Sequence, residues 1–230
     1  MSACKLVLFD CDGTLIDSEM ITCTVEAELL GEAGFEISVK EFVRRFAGTS
    51  KQHINDTMHA QTGRHLPDDY EQRVGSRLLE RLWREAKPIE GVHEMLDRLD
   101  CPRCVCSNAG MEKLKVEMQR TELWDRFRPY IYSAQDIEGI AQKPEPDVYL
   151  HAAKEFGAAA DECIVVEDSI TGVQSGVAAG MRVIGITAGC HIEPGHAERL
   201  TDAGALTVTN RISEIPALVE ALSQWDSTLV

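Results

Sequence analysis

Apolar positions along the chain follow two periods. Leu6 to Phe9 is an unbroken apolar run that stops at Asp10, the pattern of a strand buried on both faces. From about Asp17 to Lys87 the period is helical. Ile21, Val25 and Leu29 recur at every fourth residue with Leu30 and Ala33 beside them; Asp17 or Ser18 is placed to cap that helix and Gly34 to end it. Further helices are predicted over about Val39–Phe46, Lys51–Thr62 and Asp68–Glu85, punctuated by Gly48, by Gly63 with Pro67, and by Pro88. From about Gly91 short apolar strands alternate with helical stretches: Arg103–Cys106, Tyr130–Tyr132, Cys163–Val166, Arg182–Ile186 and Leu206–Val208. The pattern predicts an α/β protein with a doubly wound parallel sheet in residues 1–16 and 88–230, and a helical module over residues 17–87 spliced in after the first strand.

With 230 residues, 44% of them hydrophobic, the chain can bury a substantial core. Its formal charge of -15 disfavours nucleic acid and anionic membrane surfaces as partners. An acidic protein that handles an anion needs local positive charge, from a metal ion or from a few placed basic side chains. No apolar run approaches the roughly 20 residues of a membrane span. The chain also shows no charged leader, apolar segment and cleavage site in succession, so a cytoplasmic protein is expected. The eight cysteines are scattered and read as free thiols; Cys101, Cys104 and Cys106 lack the second pair that a zinc ribbon needs.

The chemistry lies at the predicted strand ends. Asp10 and Asp12, one residue apart, follow the first strand, and Gly13 lets the chain turn tightly behind them. Two acids held this close repel unless a cation or a shared proton relieves them. Ser107 and Asn108 follow the second strand, offering a hydroxyl and an amide to a phosphate oxygen. Lys143 sits in a loop stiffened by Pro144 and Pro146, and Glu167, Asp168 and Ser169 end another apolar strand. Hard oxygen donors without His or Cys favour Mg2+, which also binds phosphate. His191, Glu193 and His196 fit no usual ligand spacing and are read as a surface loop.

The chain resembles the haloacid dehalogenase-like hydrolases, in particular the sugar-phosphate phosphatases with a helical cap inserted after the first motif. The resemblance rests on Asp10-Cys-Asp12-Gly13-Thr14, Ser107-Asn108, Lys143-Pro144, and Glu167-Asp168-Ser169 followed by Gly172-Val173 and Ala178-Ala179-Gly180-Met181, in that order. It implies a Rossmann-like core, Asp10 as nucleophile and Asp12 as general acid and base. It also implies Mg2+ held by Asp10, the main-chain carbonyl of Asp12 and Asp168, with Glu167 contributing directly or through water. Ser107 and Lys143 complete the catalytic set, with Gly13, Thr14 and Asn108 toward the phosphate. The inserted module is expected to act as a lid, hinged near Leu15–Ser18 and Lys87–Gly91. Asp12 argues against dehalogenation, because halide leaves without a proton. The rival within the family is a β-phosphoglucomutase-like mutase, whose cap histidine is replaced here by Thr22.

The family's cap specificity loop reads Arg44-Arg45-Phe46-Ala47-Gly48-Thr49-Ser50-Lys51, a basic cluster in an acidic chain. Gly48 lets the backbone approach a ligand, and Arg45 and Lys51 are expected to pair with a second anionic group. The opening motif, this loop and Ser107-Asn108 resemble those of 6-phosphogluconate phosphatases. The expected partner is therefore a small phosphorylated metabolite, a sugar phosphate or sugar-acid phosphate, handled by a monomer or weak homodimer.

Overall fold

The computed structural model describes residues 4–46 and 51–224. Its sheet is built on β1 (Leu6–Phe9), whose four side chains are fully buried. Strands β2 (Arg103–Ser107), β3 (Ile131–Ser133), β4 (Cys163–Glu167), β5 (Arg182–Ile186) and β6 (Thr207–Thr209) complete it, and every pairing is parallel. The spatial order is β3-β2-β1-β4-β5-β6. The chain therefore builds outward on one side of β1, then crosses back to lay β4 against its other edge. The carboxyl ends of β1 and β4 flank the point where this reversal opens a crevice.

Alternation within β1 divides the core. Leu6 and Leu8 join Cys104, Cys106, Cys163 and Val165 on one face, under Val148, Tyr149 and Ala152 of α8 (Asp147–Glu155) and Val173 of α9 (Ile170–Ala178). On the other face the Phe9 ring meets Phe127 of α7 (Trp124–Phe127) edge-on, with centroids 6.0 Å apart. All eight cysteines are free thiols; even Cys4 and Cys101 keep their sulfurs 3.7 Å apart.

The chain separates into two compact units, Ser18–Ala86 and the remainder. The former is helical: α1 (Glu19–Glu32), α2 (Val39–Phe46), α3 (Lys51–Thr62) and α4 (Tyr70–Glu85). Tyr70, Val74, Leu78 and Leu82 form the buried stripe of α4, and α4 packs on α1, where Tyr70 Oη donates to the Glu26 carbonyl at 3.2 Å. Arg73, Arg77 and Arg81 reach Glu32 and Glu28 of α1 along the exposed edge. Gly34 ends α1 at φ +82, as expected. The expected cap is different: Ser18 stands at the N-cap without a side-chain cap bond, and Asp17 Oδ1 instead accepts from Cys190 N at 3.1 Å.

The two crossings into and out of the helical unit run side by side. Asp17 N donates to Lys87 O and Ile89 N to Leu15 O, both at 2.9 Å. The turn carrying Asp12 is thus backed by a short antiparallel ribbon.

The strand at the centre of the sheet makes a direct test. Leu8→Ala deletes a fully buried side chain and is expected to lower the free energy of unfolding by about 2–5 kcal/mol. Leu206→Ala, at a residue 60% exposed, should change it by under about 0.5 kcal/mol. Denaturant unfolding measures both, and equal losses would contradict the assignment of β1 to the core.

Candidate active site

The register of the sheet assembles the site. Phe9 lies opposite Val105 of β2 and Val166 of β4, so the next residue, Asp10, falls level with Cys106 and Glu167; Asp10 N donates to Val166 O at 3.0 Å. Asp10, Glu167 and Asp168 are all buried, with carboxylate oxygens that lie within 4.8 Å of one another. Burial pushes the Asp10 carboxyl well above its usual range against the pull of Lys143, and Glu167, Asp168 and Asp12 add to the push.

Lys143 makes this crowding tolerable. It lies in the loop between β3 and α8, and its ammonium donates to Asp10 Oδ1 at 2.7 Å, Glu167 Oε1 at 2.7 Å and the Cys106 carbonyl at 2.8 Å. Those three bonds fill its donor capacity. Burial alone would lower its pKa, but Asp10 and Glu167 outweigh burial and hold it well above the ordinary lysine value. The Tyr149 ring lies 4.8 Å below the ammonium.

Asn108 fixes that loop. Its side-chain oxygen accepts from Lys143 N at 2.8 Å and its amide nitrogen donates to Lys143 O at 3.2 Å. The sequence places this amide toward a phosphate; in this structure it bonds to the Lys143 peptide and so helps fix the position of Lys143. Thr14, also expected toward the phosphate, donates its buried hydroxyl to Asp168 Oδ1 at 3.1 Å. Ser107 closes β2, and its hydroxyl accepts from Ala109 N at 3.0 Å. The next helix starts at Met111.

Glu167 is held by four donors: Lys143, Tyr149 Oη at 2.9 Å, and Ser169 through its N at 3.0 Å and Oγ at 2.9 Å. Its carboxylate lies where a side chain at position 172 would otherwise stand, since a Cβ on Gly172 would overlap it. Gly13 plays the matching part for Asp168. At φ +78 it adopts a turn that other residues resist, and a Cβ there would collide with the Asp168 carboxylate.

Four participants escaped the sequence reading. His191, assigned to a surface loop, sits with Nε2 3.0 Å from Asp168 Oδ2, and His196 Nε2 lies 2.6 Å from the Asp168 main-chain oxygen. Lys113 and Glu117, one turn apart on α6 (Met111–Arg120), had the spacing of an ordinary exposed helix pair. Instead, the Lys113 ammonium contacts Asp12 Oδ1 and also reaches Glu117 Oε2 at 2.9 Å, with Glu117 fully buried. Only the packing of α6 against the β1 turn reveals them.

Arg45 lies in the helical unit, where it pairs with Glu41 at 2.8 Å and stacks over Phe46 at 4.8 Å. Gly48 and the side chain of Lys51 lie outside the described residues. Among the described residues no helix is long and apolar enough to cross a membrane.

The donor set suits a hard divalent cation. Asp10 and Asp168 are acid side chains on adjacent strand ends, and among the described residues the grouping that could hold an ion is Asp10, Glu167 and Asp168, in a cluster where carboxylates outnumber ammonium groups.

This sheet order, with an acid pair after β1 and a lysine and a second acid pair behind it, defines a known hydrolase architecture. Residues 7–186 match the model of the haloacid dehalogenase-like hydrolases, and the chain belongs to that family. It is 33% identical to the 6-phosphogluconate phosphatase of Escherichia coli (strain K12) over 99% of its own length and 100% of that protein. It resembles a haloacid dehalogenase-like protein of unknown function from Agrobacterium tumefaciens at 43% identity and TM-score 0.88, covering 96% of this chain and 100% of the other. A family hydrolase from Deinococcus radiodurans, crystallised with bound phosphate and sodium, aligns at 28% identity and TM-score 0.81 over 96% and 97% of the two chains.

The glycine beneath Glu167 gives a sharp test. Gly172→Ala should lower stability by about 1–3 kcal/mol, the range for overpacking a filled core. Gly75→Ala, on α4 with nothing within 4 Å, should be neutral or raise it by up to about 1 kcal/mol. Thermal or denaturant unfolding reads both, and a neutral Gly172→Ala would show that Glu167 is not locked where the structure puts it.

Proposed function

We propose that the protein is a Mg2+-dependent phosphatase that hydrolyses a small sugar phosphate or sugar-acid phosphate, such as 6-phosphogluconate, through an aspartyl phosphate on Asp10. One observation carries the reading. Asp10 stands at the sheet's switch point with one carboxylate oxygen held by the Lys143 ammonium at 2.7 Å, and a second acid follows two residues later in the same turn. The relationship to a 6-phosphogluconate phosphatase along the full length of both chains supports the substrate class. The bound phosphate of the Deinococcus relative supports the anion.

Asp10 attacks phosphorus, a new O–P bond forms, and the bond to the leaving oxygen breaks. A sugar alkoxide leaves poorly, so Asp12 delivers a proton to it. Asp12, now a carboxylate, takes a proton from the water that attacks the aspartyl phosphate, and inorganic phosphate departs. Asp10, the Asp12 carbonyl and Asp168 are the proposed Mg2+ ligands. When bound, the ion neutralises charge on the transferring group. Glu167, already engaged by four donors, serves by fixing Lys143. The basic residues Arg45 and Lys51 are proposed to favour a substrate that carries a carboxylate.

Asp10→Asn should abolish phosphate release in a protein that still unfolds cooperatively, and excess EDTA should stop the wild-type enzyme until Mg2+ is restored. Near wild-type turnover of purified Asp10→Asn, or activity persisting in EDTA, would contradict the nucleophile or the metal respectively. For specificity, kcat/KM should be higher for 6-phosphogluconate than for glucose 6-phosphate, and Arg45→Ala and Lys51→Ala should narrow that gap more than they slow hydrolysis of a generic aryl phosphate. A preference for the neutral sugar ester would overturn the sugar-acid assignment.

A further inference from the structure

We propose that Lys113, anchored by Glu117, is the positioning residue for Asp12, so that each acid of the pair is held by its own lysine backed by its own buried glutamate. The proposal rests on the phosphatase reading above.

The geometry repeats across the site. Asp10 is gripped by Lys143, which is braced by the fully buried Glu167; Asp12 is gripped by Lys113, which is braced by the fully buried Glu117. The two lysines come from different parts of the chain, Lys143 from the loop before α8 and Lys113 from the first turn of α6. The Glu117 carboxylate also lies 3.7 Å from the thiol of Cys11, the residue between the two acids. Asp12 itself sits in a turn whose backbone is pinned, with Leu15 N and Ile16 N both donating to Cys11 O, at 2.9 and 3.0 Å, and Gly13 N donating to Ile16 O at 2.7 Å. What the backbone leaves open is the direction of the carboxylate.

Direction matters more for Asp12 than for most acids. A proton donor acts only from within hydrogen-bond reach of the atom it protonates. Lys113 engages Oδ1 of Asp12, and fixing one oxygen fixes the plane of the group and the direction of the other. A flexible lysine could not do this alone. Glu117 sets the ammonium from below through the 2.9 Å bond within the same helix, and burial of that glutamate keeps water from competing for it. Lys113 and Glu117 act through Asp12 and touch no substrate.

A role in aiming the acid has a signature that general structural damage lacks. Formation of the aspartyl phosphate needs proton delivery for a sugar alkoxide but not for dinitrophenolate, which leaves unaided. In Lys113→Met, kcat/KM should therefore fall about 100-fold for 6-phosphogluconate, the lower range for loss of a general acid, and change little for dinitrophenyl phosphate. Lys113→Arg, which keeps a cation between the two carboxylates, should recover part of the loss on the sugar ester. If Lys113→Met fails to fold, Lys113→Met combined with Glu117→Gln removes the buried acid that Lys113 would otherwise contact and takes its place in the same comparison. Equal losses on both esters, or no loss on either, would overturn the proposal while leaving the phosphatase reading intact. A wild-type enzyme that releases phosphate from neither ester in Mg2+ would overturn the phosphatase reading, and this proposal with it.

Discussion

Like charges crowded into one buried place are the constraint on which this structure turns. Asp10, Asp12, Glu117, Glu167 and Asp168 gather at one end of the sheet, and the ammonium groups of Lys113 and Lys143 lie among them. Burial pushes the Asp10, Glu117 and Asp168 carboxyls up, and each ammonium contacts more than one carboxyl group. Removing one partner of a buried pair typically costs about 3–5 kcal/mol, because the other is left uncompensated. The fold therefore depends on the site as much as the site depends on the fold. Carboxyl groups still outnumber ammonium groups there, a donor set that suits a divalent cation.

The backbone makes room for this cluster by subtraction. Gly13 and Gly172 stand where any side chain would overlap Asp168 and Glu167. Asn108 clamps the peptide of Lys143, and Ser169 holds Glu167 while also capping α9 by accepting from Gly172 N. Asn108 and Thr14, which the sequence offers as phosphate contacts, bond in this structure to Lys143 and Asp168.

Much of this was legible in the sequence because it is local. Continuous apolar runs mark β1 and β4 as strands buried on both faces, and acids placed directly after such runs stand out as unneeded by the strands themselves. The helices Val39–Phe46 and Lys51–Thr62 fall where the periodicity put them, and the strand ends move by one residue at most. What was not legible arises from packing between distant segments. Lys113 and Glu117, four residues apart on α6, carry no sequence signal of a site, since nothing in their spacing shows that the helix lies against Asp12. His191 likewise reads as a loop residue until the crossing from β5 brings it to Asp168. Asn108 and Thr14 lie in the expected neighbourhood, and their bonds to Lys143 and Asp168 were not readable, because spacing tells where a side chain begins and not which partner it finds.

The central claim is that Asp10 carries the phosphoryl group. Its most direct test is an acid-quenched single turnover of the wild-type enzyme with 6-phosphogluconate and Mg2+, followed by digestion and mass mapping of the phosphorylated peptide. The account predicts a transient phosphoryl group on the peptide containing Asp10, absent from Asp10→Asn. A phosphoryl group mapped to a histidine, a serine or another acid would contradict it.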